Sequence, residues 1–196
     1  MKNESLKILL GYIFICLIWG STWVAIRLGL DSLTPPISAS VSFMFASVIK
    51  FAILKVKRIS IPLDSKSIKL YLFMGFLSFL IPFWLVYWAE QYIPSSLASV
   101  LFGAFPFSVF IFSLFMLESG AADKFKFLSV ILGFIGIGII FLEGIELNIE
   151  NHFIGLAAVL FSAVMQGLAA VVIKKWGGYL NPFAMNAPPL LIAGSS

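Results

Sequence analysis

Charged residues punctuate this chain at intervals and leave six long uncharged runs, at 8–26, 32–49, 70–89, 91–117, 127–142 and 153–173. Every run but the fifth reaches about 18 residues, the length at which an apolar stretch reads as a membrane-spanning helix rather than a core helix. The fifth is about 16 long, but Lys124 and Lys126 can snorkel beside it and Phe125 can extend it, so it counts as a span as well. A seventh apolar run begins after Lys175 and is still in progress at Ser196. The pattern predicts an all-α polytopic membrane protein with about six complete transmembrane helices and a partial seventh. The seventh run lacks the charged or polar flank that closes the others, as expected of a fragment of a longer protein.

Composition agrees with that pattern. The chain is 61% hydrophobic and 11% charged, with a mean hydropathy of +1.06, where a soluble domain carries about 25% charged residues. The net charge of +4 would suit nucleic acid in a soluble protein, but in a membrane protein Lys and Arg chiefly report topology. Lys2 and Lys7 precede the first span; Lys50, Lys55, Lys57, Arg58, Lys66 and Lys69 follow the second. Lys124 and Lys126 follow the fourth, and Lys174 and Lys175 the sixth. Only Arg27 falls on the opposite side. Excess positive charge marks cytoplasmic loops, so the expected N-terminus is cytoplasmic. The first run is longer than a signal-peptide core and lacks an A-x-A-like cleavage site, which makes it an uncleaved span. Cys16 is the sole cysteine, so an intrachain disulfide and a Cys-based metal site are excluded.

Lipid removes the hydrophobic drive between helices, which must then associate through small residues and interhelical hydrogen bonds. In the fourth run Ser95, Ser99 and Gly103 recur at four-residue spacing on one face, and Pro106 interrupts the backbone ladder in mid-span. Ser129, Gly133, Gly136 and Gly138 repeat the small-residue pattern in the fifth. These are candidate packing and hinge positions. In the third run Pro82 is followed by Trp84, Tyr87 and Trp88, whose spacing suits one aromatic face just past a kink. That face could wall a substrate cavity, or form the interfacial belt where Glu90 nears the surface. Trp19 and Trp23, with Ser21 and Thr22, pose the same choice in the first span.

Ionisable groups inside a span mark ion or proton pathways, and these runs hold none. Glu90 and Glu118 sit at span ends, where they are either the candidates for proton or ion coupling or plain helix ends in water. His152 lies in a predicted loop, with no second His or Cys to complete a metal set, and no phosphate-cradling glycine loop precedes a helix. The serines lack an intramembrane base. The sequence points away from an enzyme, and neither a cofactor nor a metal is expected.

The chain also resembles itself. Residues 147 apart match in order: Phe14 with Phe161, Gly20 with Gly167, Val24 with Val171, Ile26 with Ile173, and Pro35 with Pro182. The sixth span therefore restarts the pattern of the first, giving a five-helix unit over 1–144 and the start of a second over 151–196. Five is odd, so the second unit must enter the membrane inverted, which places a binding site near the midplane between the two.

The segment IWGSTWVAIRLGLDSLTP resembles the opening of EamA-like permeases of the drug/metabolite transporter superfamily. WAEQYIPSSLASVLFGAFPFSVFIFSLFMLES is similar to the end of that family's third span and to its fourth, with Ala89, Tyr92, Ser99, Pro106 and Glu118 in the matching positions. FLSVILGFIGIGIIF resembles its glycine-rich fifth span. Two positions depart from the family: Ser42 stands where an Arg is common in span two, and Ser119 and Gly120 follow the span-four Glu where an Arg is common. The resemblance implies a ten-helix secondary transporter of small metabolites or amphipathic compounds. Its partners would be a small-molecule substrate, the lipid bilayer and a second copy of the chain, with no nucleic acid. A non-transporting membrane scaffold or partner subunit, binding through the same small-residue faces, is the alternative.

Overall fold

The computed structural model describes residues 2–117, 128–129, 131–133, 135–136, 138–139 and 149–196. The described residues are helical and contain no strand. Glu118 and part of the fifth run lie outside them. The helices are α1 (Lys2–Leu30), α2 (Pro35–Lys57), α3 (Ser65–Met74), α4 (Ile81–Ala89), α5 (Ser95–Phe102), α6 (Phe105–Met116), α7 (Ile149–Trp176) and α8 (Pro182–Gly194), with a π-helical turn, Gly75–Leu80, joining α3 to α4. Among the described residues, five stretches are long and apolar enough to cross a membrane: Leu6–Leu30, Pro35–Lys57, Ser65–Ala89, Ser95–Met116 and His152–Trp176. The chain is thus a multi-pass, all-helical membrane protein. His152, expected in a loop, lies in the first turn of α7, because the helix runs past its apolar stretch into polar residues.

The prolines reshape two spans. Pro82 has no N–H for the Ser78 carbonyl, and the third span answers just before it with a π turn, in which the Ile81 N–H reaches Phe76 O. The helix therefore continues without a break. In the fourth span the ladder stops at Gly103 and Ala104, whose N–H groups bond three residues back to Val100 and Leu101. Pro106 then falls in the first turn of α6, where a missing N–H costs nothing. Ahead of α3, Asp64 accepts from the Ser67 N–H at 3.1 Å and the Ser67 hydroxyl at 2.6 Å. Those bonds hold its carboxyl below the ordinary carboxylate range.

Packing pairs the two ends of the chain. α2 and α8 both begin on a proline after an extended residue, Thr34 or Asn181, and they lie against each other. A Cβ on Gly194 would sit 2.7 Å from the Met44 backbone nitrogen, and Ser47 donates to the Ala187 carbonyl at 3.3 Å. One apolar cluster joins Ile26, Phe43, Val86 and Leu190 across α1, α2, α4 and α8. A second joins Ala89, Ala98, Leu101 and Val159 across α4, α5 and α7. α1 is peripheral, with its side chains from Leu6 to Ile18 exposed as a face for lipid.

Candidate functional site

The helices leave a cavity of about 220 Å³ between α1, α4, α5 and α7. α1 supplies Ile18, Trp19, Thr22, Trp23 and Ile26; α4 supplies Phe83 and Val86; Phe102 of α5 and Gln166 of α7 complete the lining. The α1 residues fall at i, i+1, i+4, i+5 and i+8, one face of a helix. Trp23 and Phe102 meet edge to face at 5.5 Å between ring centroids, fixing α1 to α5 beside the opening. On the opposite wall Ser162, fully buried, donates to the Pro82 carbonyl at 2.9 Å. This ties α7 to α4 one turn before Gln166.

The lining carries no charge. Thr22 spends its hydroxyl proton on the Ile18 carbonyl at 2.8 Å, leaving its oxygen as an acceptor only. The Gln166 amide nitrogen is buried without a hydrogen-bond partner. A site of this composition can hold a small apolar group and engage it at one polar point.

Of the candidate residues from the sequence, Trp19 and Thr22 line this cavity. Ser21 turns away, donating to Ile18 O at 3.0 Å. Trp84 stacks on Trp88 at 6.4 Å, and Trp88 meets Tyr92 at a tilt, with centroids 4.8 Å apart, on a face other than that of Phe83 and Val86. Tyr87 is buried in the α1–α2–α4–α8 cluster. Ser99 bonds its own helix at Ser96 O, and the buried face of α5 is Ala98 and Leu101 rather than Ser99 and Gly103. Pro82 is buried beside the π turn, while Pro106 is exposed. Gly133 packs on the Phe107 ring, and Gly136 has open space where a Cβ would be. Gln166 was missed. The signal for it was present, since it is the only amide in the 153–173 run and stands 147 residues after Trp19.

Glu90 closes the C-terminal end of α4 and is completely buried. Its Oε2 accepts from Ser95 at 2.6 Å, its Oε1 has no partner, and its backbone carbonyl accepts from Arg27 Nη1. Burial pushes the carboxyl above the ordinary carboxylate range, against the smaller downward pulls of Ser95 and Arg27. An open cleft of about 400 Å³ lies alongside, lined by Arg27, Gln91, Tyr92, Ser95 and His152 among others.

Comparison with known proteins matches residues 6–142 to the model of the EamA-like transporter family. Protein PagO of Salmonella typhimurium is 27% identical over 99% of this chain and 63% of its own length. The uncharacterized transporter YoaV of Bacillus subtilis is 29% identical over 95% of this chain and 63% of its own. An uncharacterized transporter of Buchnera aphidicola subsp. Schizaphis graminum is 27% identical over 97% and 63%. The chain thus spans a little over three fifths of the length of these relatives. No solved structure matches it. With most of its length matched by the family model, and its apolar helices arranged around an uncharged cavity, the chain belongs to the EamA-like transporter family.

Proposed function

We propose that this protein is a secondary transporter of the bacterial inner membrane that exports small metabolites or amphipathic compounds, with the α1–α4–α5–α7 cavity as its substrate site. The observation that carries the reading is that Trp19 and Gln166, 147 residues apart, line the same cavity from α1 and α7. An inverted repeat places its central site at the interface between the two units, where both contribute lining. Two of the relatives described above also bear the name transporter. The proposed N-terminus is cytoplasmic, following the distribution of Lys and Arg. The π turn and the Gly103–Ala104 break are the points where the third and fourth spans bend as one side of the cavity opens. Glu90, at the outer end, is the coupling carboxylate.

The test is flux in proteoliposomes containing the purified protein and a mixed panel of small amphipathic metabolites, followed by mass spectrometry. At least one compound should cross faster than in empty liposomes, and Trp23→Ala, which removes the ring against Phe102, should cut that flux at least tenfold with reconstitution unchanged. Equal flux of every compound with and without protein contradicts the proposal.

A further inference from the structure

A buried donor with no acceptor costs on the order of 1–3 kcal/mol. Gln166 carries such a donor. Its amide nitrogen is buried and unpaired, and the residue belongs to the lining of the cavity. Around it stand indole, phenyl and aliphatic side chains, with the Thr22 proton already committed to Ile18. No lining residue is charged, so an ion entering this space would lose its hydration with nothing to replace it. The volume, about 220 Å³, is half again the size of a cavity that holds benzene at about 150 Å³, which suits a single substituted ring or a small bicycle. The mouth, at Ile18 and Trp19, stays 47% and 59% exposed, so a more polar remainder of the substrate has room outside.

We infer that Gln166 is the specificity-determining donor of this cavity, and that the part of the substrate bound there is an uncharged, flat apolar group bearing one hydrogen-bond acceptor. The inference rests on the cavity being the substrate site. It assigns a role to a residue whose amide nitrogen has no hydrogen-bond partner among the described residues, held in place by the Ser162 bond one turn earlier and by the close packing of Gly167 on α6.

A matched pair of probes separates the two claims. 4-Fluoroacetophenone carries a carbonyl acceptor, and 1-ethyl-4-fluorobenzene has nearly the same shape without one. Each is titrated into the purified protein in detergent, and its ¹⁹F signal is compared with protein-free micelles. The wild type should bind the ketone about fivefold more tightly than the ethyl compound, the span of one neutral hydrogen bond. Gln166→Met should lose that preference while keeping the ethyl compound's affinity, and Trp19→Ala should weaken both. A wild type that binds both probes equally overturns the role of Gln166 and leaves the cavity as the site. So does a folded Gln166→Met that keeps the preference. If neither probe binds the wild type, or Trp19→Ala alters neither, the cavity reading fails and this inference with it.

Discussion

Gly167→Leu is expected to abolish the folded protein. A Cβ at Gly167 would overlap Ser108 Cβ and stand 3.0 Å from the backbone of Ser108 and Val109. Backbone cannot yield without moving all of α6, so α6 and α7 would have to separate. The alanine variant alone carries the overpacking cost of about 1–3 kcal/mol, a loss of roughly 2–10 °C in the midpoint of thermal unfolding in detergent for a chain of this size. Leucine adds three more heavy atoms to a contact that has no room for the first. The expected readout is aggregation on size-exclusion chromatography. The control is Gly136→Ala, where nothing lies within 4 Å and the midpoint should not move. Gly133→Ala falls between them, because what it meets is the end of the Phe107 ring. A Gly167→Leu variant that elutes and melts like the wild type contradicts this account of the α6–α7 contact.

Glu90→Ala is expected to cost about 2–4 kcal/mol, the range for emptying a fully buried side chain of that size, and it strands the Ser95 hydroxyl as well. Glu90→Gln should behave in the opposite sense. An amide keeps the shape and can still accept from Ser95, while the burial cost of the charge disappears. The pH dependence follows from the direction of the shift. A carboxyl raised above its ordinary 4.5 holds its proton more tightly folded than unfolded. Its stabilising effect is therefore present at low pH and is lost as the pH rises from about 4.5 through the raised folded value. Asp64, lowered by its bonds to Ser67, acts below that window and with the opposite slope. Among the described residues, the charged and titratable groups around Glu90 are Arg27 from α1, Tyr87 on its own helix and, across the cleft alongside, Tyr92 and His152. In thermal melts Glu90→Gln should match or exceed the wild type at neutral pH and remove the decline that begins above about pH 4.5. A decline that persists in Glu90→Gln assigns it to another group.

Much of the fold was legible because spacing between charges measures spans directly: three of the six uncharged runs sit inside candidate spans of the described structure and two more overlap one. The prolines were legible as interruptions but not as their outcome. Nothing in the local sequence distinguishes a kink at Pro82 from a π turn that absorbs it, since the choice depends on whether the upstream helix can widen by one residue per turn against α8. Side-chain direction was the harder question. In water the polar face of a helix points outward, but in lipid both faces of a span are apolar, and the pattern that would orient it vanishes. Trp84 and Trp88 therefore looked as eligible for a cavity as Trp19, yet they face away from Phe83 and Val86. Ser99 and Gly103 looked like the close-packing face of the fourth span, yet Ala98 and Leu101 are buried. Gln166 shows what was recoverable: an amide in the middle of an apolar span has few reasons to be there other than contact with protein or ligand.

The most direct test of the central claim places one thiol in the cavity. In a Cys16→Ser background, Thr22→Cys puts the only cysteine of the described chain on the lining, and a membrane-impermeant maleimide is applied to intact cells and, separately, to inverted vesicles. A thiol facing lipid cannot form the reactive thiolate and stays unlabelled. An alternating-access cavity predicts labelling from both sides of the membrane. No labelling from either side would place Thr22 against lipid and contradict the substrate path proposed here.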